Sequence, residues 1–430
     1  MRKNILIILV LLGFLSSALA QNDTLRVMQY NLMYYGQNTS FCTQSNNNID
    51  DKNAAIRTIL TAYYPDIFTV CEMGKSTTLP TTFLNNVLNV NGANFWMARG
   101  GANTTGSSTL TNCIFYNSTK LTLVGQHVAQ STTRDIDVYD FKFKNDDSNK
   151  MTLTCVIAHL KAGTGTDNVN KRKVMAEQTM TYLENNYREK NVLIMGDFNL
   201  YTNTEGAYQA FTNQSAYPDA YFIDPLYPYG VGAWNNNGTY SSYHTQSTHK
   251  YEDDDCHSSG GMDDRFDFIL MSENIYGGRE GVRYIGGSYN ALGNDGRRFN
   301  KSINDPTNTA VSQAVADALF TNSDHIPVTM ELLVQYNIGV DEYPENVLCF
   351  DVFPNPASEN ISIRFYQDII GKANILLFNT LGQMVYSSEI FVDDCLSEHV
   401  VPVDNLPKGL YFLKITNADG LTNTSKVIVE

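Results

Sequence analysis

Basic residues are scarce in this 430-residue sequence. It contains 30 Lys and Arg against 45 Asp and Glu, which gives a formal net charge of −15. A protein held on nucleic acid or on a membrane by a broad basic surface needs the opposite balance, so that class is excluded. A hydrolase that meets a phosphodiester through a metal ion remains open, because turnover does not require tight retention.

Long apolar runs are absent beyond the N-terminus. Residues Met1–Ala20 combine a basic start at Arg2 and Lys3 with an apolar stretch and a small-residue cleavage site, which is typical of a secretory signal peptide. A membrane anchor, the alternative, needs a longer run. Cleavage leaves 28 basic against 45 acidic residues, a net charge of −17. We expect an exported protein without stable membrane insertion.

Cysteine spacings of the kind that bind zinc are also missing. Cys71, Cys113 and Cys155 lie in apolar, strand-like runs, which predicts buried thiols. Cys349 and Cys395 flank the first part of the C-terminal segment and are a candidate pair, since export permits disulfides. Seven cysteines leave at least one free thiol unless chains cross-link, and spacing does not reveal the connectivity.

Apolar strands alternate with helical patterns up to about residue 333, and this alternation predicts an α/β layered fold. Helices are predicted at Asp50–Tyr64, at Asn168–Tyr187 and near Ala310–Leu319. The predicted strands are Leu25–Asn31, Asp66–Glu72, Cys113–Tyr116, Val138–Lys144, Met151–Ala158, Leu193–Asn199 and Arg265–Leu270.

The alternation breaks over residues 226–264, which are rich in Tyr, Asn, Gly, Ser and His. We interpret this stretch as a long surface insertion beside the functional site. Its His244, His249 and His257, together with the run Asp253–Asp255, could bind a cation. A solvated loop is the favoured interpretation.

Polar side chains recur where the predicted strands end. In Leu193–Asn199 an apolar run stops at Gly196, Asp197 and Asn199, and Gly196 allows the backbone to turn or to approach a ligand closely. The full set is Asn31, Glu72, His159, Asp197, Asn199, Asp267, Asp324 and His325. Any one of these could be a turn residue, a surface carboxylate or a cap. Eight at successive strand ends indicate a shared pocket for metal binding and proton transfer.

These residues resemble, in order and in local sequence, the motifs of the endonuclease/exonuclease/phosphatase family of deoxyribonuclease I-like enzymes. The motifs are Tyr30-Asn31, Val70-Cys71-Glu72, Ala158-His159-Leu160, Gly196-Asp197-Phe198-Asn199, Arg265-Phe266-Asp267-Phe268-Ile269 and Ser323-Asp324-His325. A Gln commonly precedes the Glu of the second motif, where this chain has Cys71. The resemblance spans roughly Leu25–Leu333. It implies a four-layer sandwich, in which two packed β-sheets are flanked by helices.

The resemblance also implies a divalent cation at the site. Mg²⁺ prefers oxygen ligands, which suits Glu72 as the main ligand, and Mn²⁺ or Ca²⁺ are alternatives. Asn31 and Asp324 are expected as near neighbours or as water-mediated ligands. Such an ion neutralises the phosphoryl oxygens and stabilises the leaving oxygen.

Proton transfer is expected from the remaining family residues. His325 would take a proton from the attacking water, with Asp267 orienting the imidazole. Asp197 and Asn199 would position the nucleophile and the phosphate. His159 would stabilise the pentacovalent oxygens or protonate the leaving group. The sequence leaves open how proton transfer is divided among His159, Asp197 and His325.

Two residues are expected to bind substrate. Arg134, in Thr132-Thr133-Arg134-Asp135, stands where deoxyribonuclease-like members place an arginine that contacts phosphate. Tyr116 is expected to line the cleft. Either could equally be an ordinary surface or packing residue.

Beyond residue 336 the sequence changes to short β-type runs with turn signals. The segments Val352–Ala357, Leu376–Gln383, Leu406–Phe412 and Lys426–Val429 resemble the type-nine secretion (Por) sorting domain. The resemblance implies export through the type-nine secretion machinery, removal of this domain, and release or surface attachment. A generic β-sandwich adhesion or carbohydrate-binding module is the alternative.

The predicted organisation is a signal peptide (1–20), a catalytic domain (21–336), a linker (337–350) and a small all-β sorting domain (351–430). The leading hypothesis is a secreted, monomeric, metal-dependent phosphodiesterase acting as a nuclease on extracellular DNA or RNA. A sphingomyelinase-like or other phosphoester hydrolase is the second hypothesis. A non-catalytic surface binding protein is the third, and the intact Glu72, Asp197, Asp267 and His325 oppose it. Endo or exo cleavage and the preferred metal are not decided by the sequence.

Overall fold

The computed structural model describes residues 21–105, 108–146, 148, 150–226, 231–252, 256–336, 348, 350–365, 371–392, 398–418 and 420–429. The signal peptide predicted at 1–20 lies outside these residues. Up to residue 336 the strands are β1 Gln21–Tyr35, β2 Ile67–Gly74, β3 Trp96–Gly100, β4 Leu110–Asn117, β5 Leu121–Gln130, β6 Ile136–Phe143, β7 Thr152–Ile157, β8 Val192–Asp197, β9 Phe222–Ile223, β10 Asp267–Ser272, β11 Val282–Tyr284, β12 Asn290–Ala291 and β13 Val328–Tyr336. The helices are α1 Ile49–Ile59, α2 Leu79–Phe83, α3 Thr166–Asn186, α4 Gly206–Thr212, α5 Glu273–Gly277 and α6 Gln313–Asn322.

Two mixed sheets carry this part of the chain. The first has the strand order β11-β13-β1-β2-β4-β3, with β12 paired to β13, and the second has the order β5-β6-β7-β8-β10-β9. β1 runs parallel to β2, and β7 runs parallel to β8. Because parallel neighbours end at the same edge of a sheet, the residues that follow these four strands are brought together in two pairs.

The two sheets pack face to face over an apolar core. Val27 and Ile67 of the first sheet meet Met195 and Ile269 of the second in this core, and all four are fully buried. Helices α1 and α6 cover the outer face of the first sheet, and α3 and α4 cover that of the second. The four-layer sandwich predicted for this region is therefore confirmed.

Helix ends follow local capping. The Asn48 side chain accepts from the backbone N–H groups of the first turn of α1, and Ser312 does the same for α6. α1 ends at Ile59, five residues before the predicted end, because the next turns close with shorter i→i+3 hydrogen bonds such as Thr61 N–H to Thr58 O. α3 lies within two residues of its prediction.

The C-terminal segment forms two antiparallel sheets. Its strands are β14 Phe350–Phe353, β15 Asn360–Phe365, β16 Gly371–Asn379, β17 Met384–Val392, β18 Glu398–Pro402, β19 Gly409–Asn417 and β20 Thr422–Val429. The orders are β14-β15-β18 and β17-β16-β19-β20. Alternate residues such as Ile375 and Leu413 point into one apolar core. The all-β prediction is confirmed.

The cysteines follow the predictions in part. Cys71, Cys113 and Cys155 are buried free thiols, as predicted. The proposed pair Cys349 and Cys395 lies outside the described residues. An unpredicted disulfide joins Cys42 to Cys256 across 214 residues of sequence.

The prediction of a solvated loop is wrong for residues 244–249 of the insertion. His244, Thr245 and Thr248 are buried, because their segment is hydrogen-bonded to chain on both sides. Thr245 N–H donates to Asp264 O at 2.7 Å, and Thr248 N–H donates to Asp324 O at 2.9 Å. The run Asp253–Asp255 lies outside the described residues. The inner part of the insertion is thus a packed layer beside the strand ends.

Candidate active site

A cleft of about 330 Å³ opens where the two sheets meet at the ends of β1, β2, β7 and β8. Its lining includes Met33, Tyr34, Phe41, Glu72, Arg134, His159, Ala162, Gly163, Asp197, Asn199, Tyr201, Gln246, His257, Ser258, Phe266, Asp324 and His325. The antiparallel pairing of β8 with β10 places Asp267 directly opposite Asp197. The family residues are therefore together because of strand order and register, although they are far apart in sequence.

The backbone is strained where strands enter the cleft. Glu72 has φ 61° and Asn199 has φ 51°, in the left-handed region that non-glycine residues rarely occupy. Such conformations cluster at functional sites, where the surrounding structure holds them. Gly196 has φ 149°, and a Cβ there would stand 1.8 Å from the Ala158 carbonyl oxygen. The glycine is needed for close approach of the end of β7, rather than of a ligand.

A histidine–aspartate pair forms the centre of the site. His325 Nδ1 lies 2.7 Å from Asp267 Oδ2, and both side chains are buried. Ser323 anchors the segment, because its hydroxyl donates to Asn31 O at 2.8 Å and accepts from His325 N–H at 3.1 Å. The ring therefore directs Nε2 towards the cleft, where an imidazole can accept a proton.

Two carboxylates converge on the amide of Asn31. Asn31 Nδ2 donates to Asp197 Oδ2 at 3.0 Å and to Glu72 Oε1 at 3.2 Å. His159 Nε2 lies 3.6 Å from Asp197 Oδ2 and 3.7 Å from Glu72 Oε1. Asn31 Oδ1 accepts from Met33 N–H at 2.9 Å, so the amide is held in the orientation that directs its nitrogen to both carboxylates.

Burial changes the proton affinity of both carboxyl groups. It raises the pKa of Glu72, with a further rise from the Asp324 charge and opposition from His325. Burial also raises the pKa of Asp197 to about 7, which His325 opposes and Asp267 reinforces. Asp197 can therefore hold or release a proton near neutral pH.

The two histidines of the cleft are shifted in opposite directions. Burial lowers the pKa of His159 well below its usual value, and the charges of Arg134, His325 and Lys161 add to the fall. For His325, burial opposes the charge, but three carboxylates, Asp267 foremost, prevail and hold the pKa well above its usual value. His159 is thus a neutral hydrogen-bond partner, and His325 is the group with high proton affinity.

The donor set fits a hard divalent cation. Glu72, His159 and Asp197 each offer a ligand atom, and these atoms lie within 4.8 Å of one another. Asp324 Oδ1 is buried and has no hydrogen-bond partner within the described part of the chain. Carboxylate oxygens without competing donors are the ligands that Mg²⁺ prefers. A positive charge bound here would also oppose the high pKa of His325.

The remaining predicted residues divide between cleft and core. Arg134 lines the cleft, and its Nη1 donates to Leu160 O at 2.7 Å. Asn199 lines it too, and its N–H donates to Asp197 Oδ1 at 3.0 Å. Tyr116, expected in the cleft, is instead buried between the sheets with its ring 5.0 Å from that of Phe141. As part of β4 it points into the apolar core.

Several residues of the cleft wall were not predicted from the sequence. Gln246 contacts both Asp324 and His325, yet a lone Gln in an irregular stretch gives no signal. Tyr34 near the end of β1 and Phe41 on the loop after β1 have ring centroids 5.7 Å apart. The Cys42–Cys256 disulfide joins that loop to the insertion. The odd number of cysteines did not identify this pair.

Residues 351–430 match the family model described as the secretion system C-terminal sorting domain. This match confirms the predicted sorting domain, and it assigns the chain to export, to secretion or the cell surface. Across the residues that the structure covers, no helix has the length and apolar character needed to cross a membrane.

Several solved structures are similar to this chain at low identity. An endonuclease/exonuclease/phosphatase family protein from Bacteroides thetaiotaomicron is 14% identical, with 75% of this chain and 99% of that chain covered and a TM-score of 0.44. The human Nocturnin catalytic domain with bound sulfate is 14% identical, with 73% and 96% covered and a TM-score of 0.43. D. rerio TDP2 complexed with single strand DNA product is 11% identical, with 72% and 98% covered and a TM-score of 0.45. Among curated proteins, none matches the chain.

Proposed function

We propose that residues 21–336 form a divalent-cation-dependent phosphodiesterase of the endonuclease/exonuclease/phosphatase kind, which acts as a nuclease on extracellular DNA or RNA. Residues 337–350 would link it to the sorting domain. The observation that carries the proposal is the 2.7 Å pair of His325 and Asp267 in one cleft with the carboxylates of Glu72 and Asp324. A proton acceptor beside a set of cation ligands is what attack of water on a phosphodiester requires.

Each residue has a role that its position supports. Glu72 and Asp324 would hold the cation, which neutralises phosphoryl oxygens and stabilises the leaving oxygen. His325 Nε2 takes a proton from the attacking water, while Asp267 keeps the ring in place through Nδ1. Asp197, with Asn199 beside it, positions the water and the phosphate.

His159 acts as a hydrogen-bond donor to a phosphoryl oxygen. Its low pKa favours this role over that of an acid, because a neutral imidazole has no extra proton to give at neutral pH. We therefore propose that His325 carries the proton transfer from water, with His159 as a hydrogen-bond donor to the phosphate.

The cleft wall favours a nucleic acid as substrate. Arg134 offers a positive charge beside the carboxylates, which suits a phosphate. Tyr34 and Phe41 stand on the wall formed by the loop after β1, and the Phe41 side chain is 52% exposed. Exposed aromatic rings next to a phosphate site are typical stacking surfaces for bases of single strands.

One experiment tests the proposal. The chain from Gln21 onward is incubated with plasmid DNA, structured RNA and sphingomyelin vesicles, each with Mg²⁺ and with a chelator. We expect chelator-sensitive cleavage of DNA or RNA. Release of the phosphocholine headgroup with both nucleic acids intact would move the same chemistry to lipids. Absence of all three reactions would contradict the proposal.

His325→Ala provides the control within that experiment. It removes the proton acceptor and leaves Glu72 and Asp324 in place. Cleavage that survives in this variant at the wild-type rate would overturn the role proposed for His325. A matched exchange at His127, which is half-exposed on β5, should have no effect.

A further inference from the structure

Gln246 is held in place by the packed segment of the insertion. Its neighbour Thr245 accepts the Ile326 N–H at 2.8 Å, and Thr248 N–H donates to Asp324 O at 2.9 Å. The Gln246 carbonyl accepts from Asp263 N–H at 2.9 Å. The segment is therefore hydrogen-bonded to the chain on both sides, so the side chain of Gln246 projects from a fixed backbone.

One amide nitrogen of Gln246 contacts two functional residues. Its Nε2 donates to Asp324 Oδ2 at 3.0 Å and lies 2.8 Å from His325 Nε2. An ionised carboxylate only accepts, so the contact with Asp324 identifies the nitrogen end of the amide. The same nitrogen lies 2.8 Å from His325 Nε2, so the amide is packed against the edge of the ring that faces the cleft.

A second donor from the insertion meets the same oxygen of Asp324. Ser258 N–H donates to Oδ2 at 3.0 Å, and the Ser247 hydroxyl donates to Ser258 O at 2.6 Å. Ser258 lies two residues after Cys256, which forms the disulfide with Cys42. With both donors on Oδ2, Asp324 Oδ1 is the oxygen that lacks a hydrogen-bond partner among the described residues.

We propose that Gln246 is a positioning residue of the site, which ties Asp324 to His325 and turns Oδ1 of Asp324 towards a divalent cation. The inference rests on the proposed function, since the cation and the proton acceptor are those of that reaction. Partners that orient a metal ligand change affinity without touching the metal, because a freely rotating carboxylate loses entropy on binding.

The test measures cation affinity apart from turnover. The intact chain is titrated with Mg²⁺ by calorimetry, for the wild type and for Gln246→Leu, which keeps most of the volume and lacks the donor. We expect Mg²⁺ affinity to fall about tenfold in the variant. On a cleaved nucleic acid at subsaturating Mg²⁺, kcat should fall by about as much with KM nearly unchanged, because Gln246 acts through the cation.

Two further variants control for folding and for loss of an amide elsewhere. Gln209→Leu removes an exposed amide on α4 that donates to Asn203 O, and it should match the wild type in both measurements. If Gln246→Leu shows a lowered melting temperature, Gln246→Met replaces it, since the unbranched side chain keeps the length. The affinity loss should be the same.

The outcomes separate this inference from the proposed function. If the wild type is active and folded Gln246→Leu has the same Mg²⁺ affinity and kcat, the inference about Gln246 is overturned. The proposed nuclease function is then unaffected. If Gln246→Leu weakens Mg²⁺ affinity but the wild type cleaves no phosphodiester, the positioning role of Gln246 is supported and the proposed nuclease function is rejected. A wild type that binds no Mg²⁺ overturns the inference, because Asp324 then has no cation to meet.

Discussion

The two regions of this protein differ most in what they bury. Residues 21–336 enclose many charged and polar side chains, among them Lys52, Arg265 and Asp324. In the described residues of the C-terminal sheets, Asn417 is the one buried polar side chain. Burying a charge is unfavourable unless it is paired or hydrogen-bonded. Among the described residues, the region that buries charged side chains despite this free-energy cost is also the region that contains the candidate active site.

Not every buried charge in the first region belongs to the cleft. Arg265 is fully buried, but it pairs with Asp224 through two hydrogen bonds of 2.7 and 2.9 Å. The two charges of this pair compensate each other in the core. The cleft differs, because Asp324 Oδ1 and Asp267 Oδ1 lack partners among the described residues. Carboxylate oxygens without a hydrogen-bond partner, rather than burial alone, distinguish the cleft among the described residues.

The largest effect should come from removing the proton acceptor. His325→Ala is expected to lower kcat on nucleic acid by about 10³-fold, because water then loses its general base. Melting curves should stay close to those of the wild type. His127→Ala is the matched control. Wild-type turnover in His325→Ala would remove the residue from the mechanism.

A cation ligand should come next in size. Glu72→Gln keeps the shape of the side chain and loses its charge, so Mg²⁺ should activate the variant at about 10²-fold higher concentration. A titration of the rate with Mg²⁺ measures this. Glu177→Gln, on the exposed face of α3, should titrate as the wild type does. An unchanged titration for Glu72→Gln would exclude it as a ligand.

The disulfide should stabilise the first region alone. It closes a loop of more than two hundred residues, so Cys42→Ser combined with Cys256→Ser should lower the free energy of unfolding by about 5 kcal/mol. Urea denaturation with and without reductant measures the loss. Reductant should destabilise the wild type and leave the double variant unaffected. Equal sensitivity of both proteins would assign the effect to another bond.

Lys52 should make stability depend on pH. Its Nζ donates to Leu32 O at 2.9 Å and to Asn322 O, and burial lowers its pKa from 10.5 to about 7, against the charges of Asp324 and Glu72. Between these values the unfolded chain binds a proton that the folded chain does not, so stability from this group rises with pH. Below pH 7 the Lys52 amine is protonated in both the folded and the unfolded state, and the full free-energy cost of burying its charge applies.

The change is measurable against a variant without the amine. From about pH 8 to 10, the free energy of unfolding of the wild type should rise relative to Lys52→Met by about 1.4 kcal/mol per pH unit. Lys173→Met, on exposed α3, should show no such slope. Parallel pH profiles for the wild type and Lys52→Met would mean that Lys52 stays charged.

The smallest effect is expected on the surface of the C-terminal sheets. Phe391 is 61% exposed on β17, so Phe391→Ser should change the free energy of unfolding by less than about 0.5 kcal/mol. Nuclease activity should not change. Phe365→Ala, at a fully buried position, should destabilise these sheets by about 3 to 5 kcal/mol. Similar effects at both positions would mean that this apolar core is not formed.

Most of the fold was predictable because its signals are local. The buried strand β8 is apolar at consecutive positions, since both its faces are covered, and α3 has an apolar side over its whole length. The end of α1 was less predictable. Pro65 can stop a helix, but hydrogen bonds closing shorter turns at Thr61 and Ala62 ended it first.

The site was predictable where residues follow regular strands. Glu72 and Asp197 were identified because each follows an apolar run, and Asp267 because it directly precedes one. The prediction for Tyr116 was wrong for a different reason. Tyr116 lies on β4, and alternate residues of a strand in one of two packed sheets face the core between the sheets. Gln246 was missed because its place depends on hydrogen bonds to distant backbone, and those have no local pattern.

The sequence by itself determined the layered fold, the sorting domain and the residue types that the chemistry needs. These are carried by hydrophobic periodicity and by short motifs, which act over a few neighbouring residues. Only the tertiary structure decided that Cys42 pairs with Cys256, that Asn31 holds two carboxylates, and that an irregular insertion supplies a donor to Asp324 and His325. Those contacts depend on strand order and on the packing of loops, which bring together residues hundreds of positions apart.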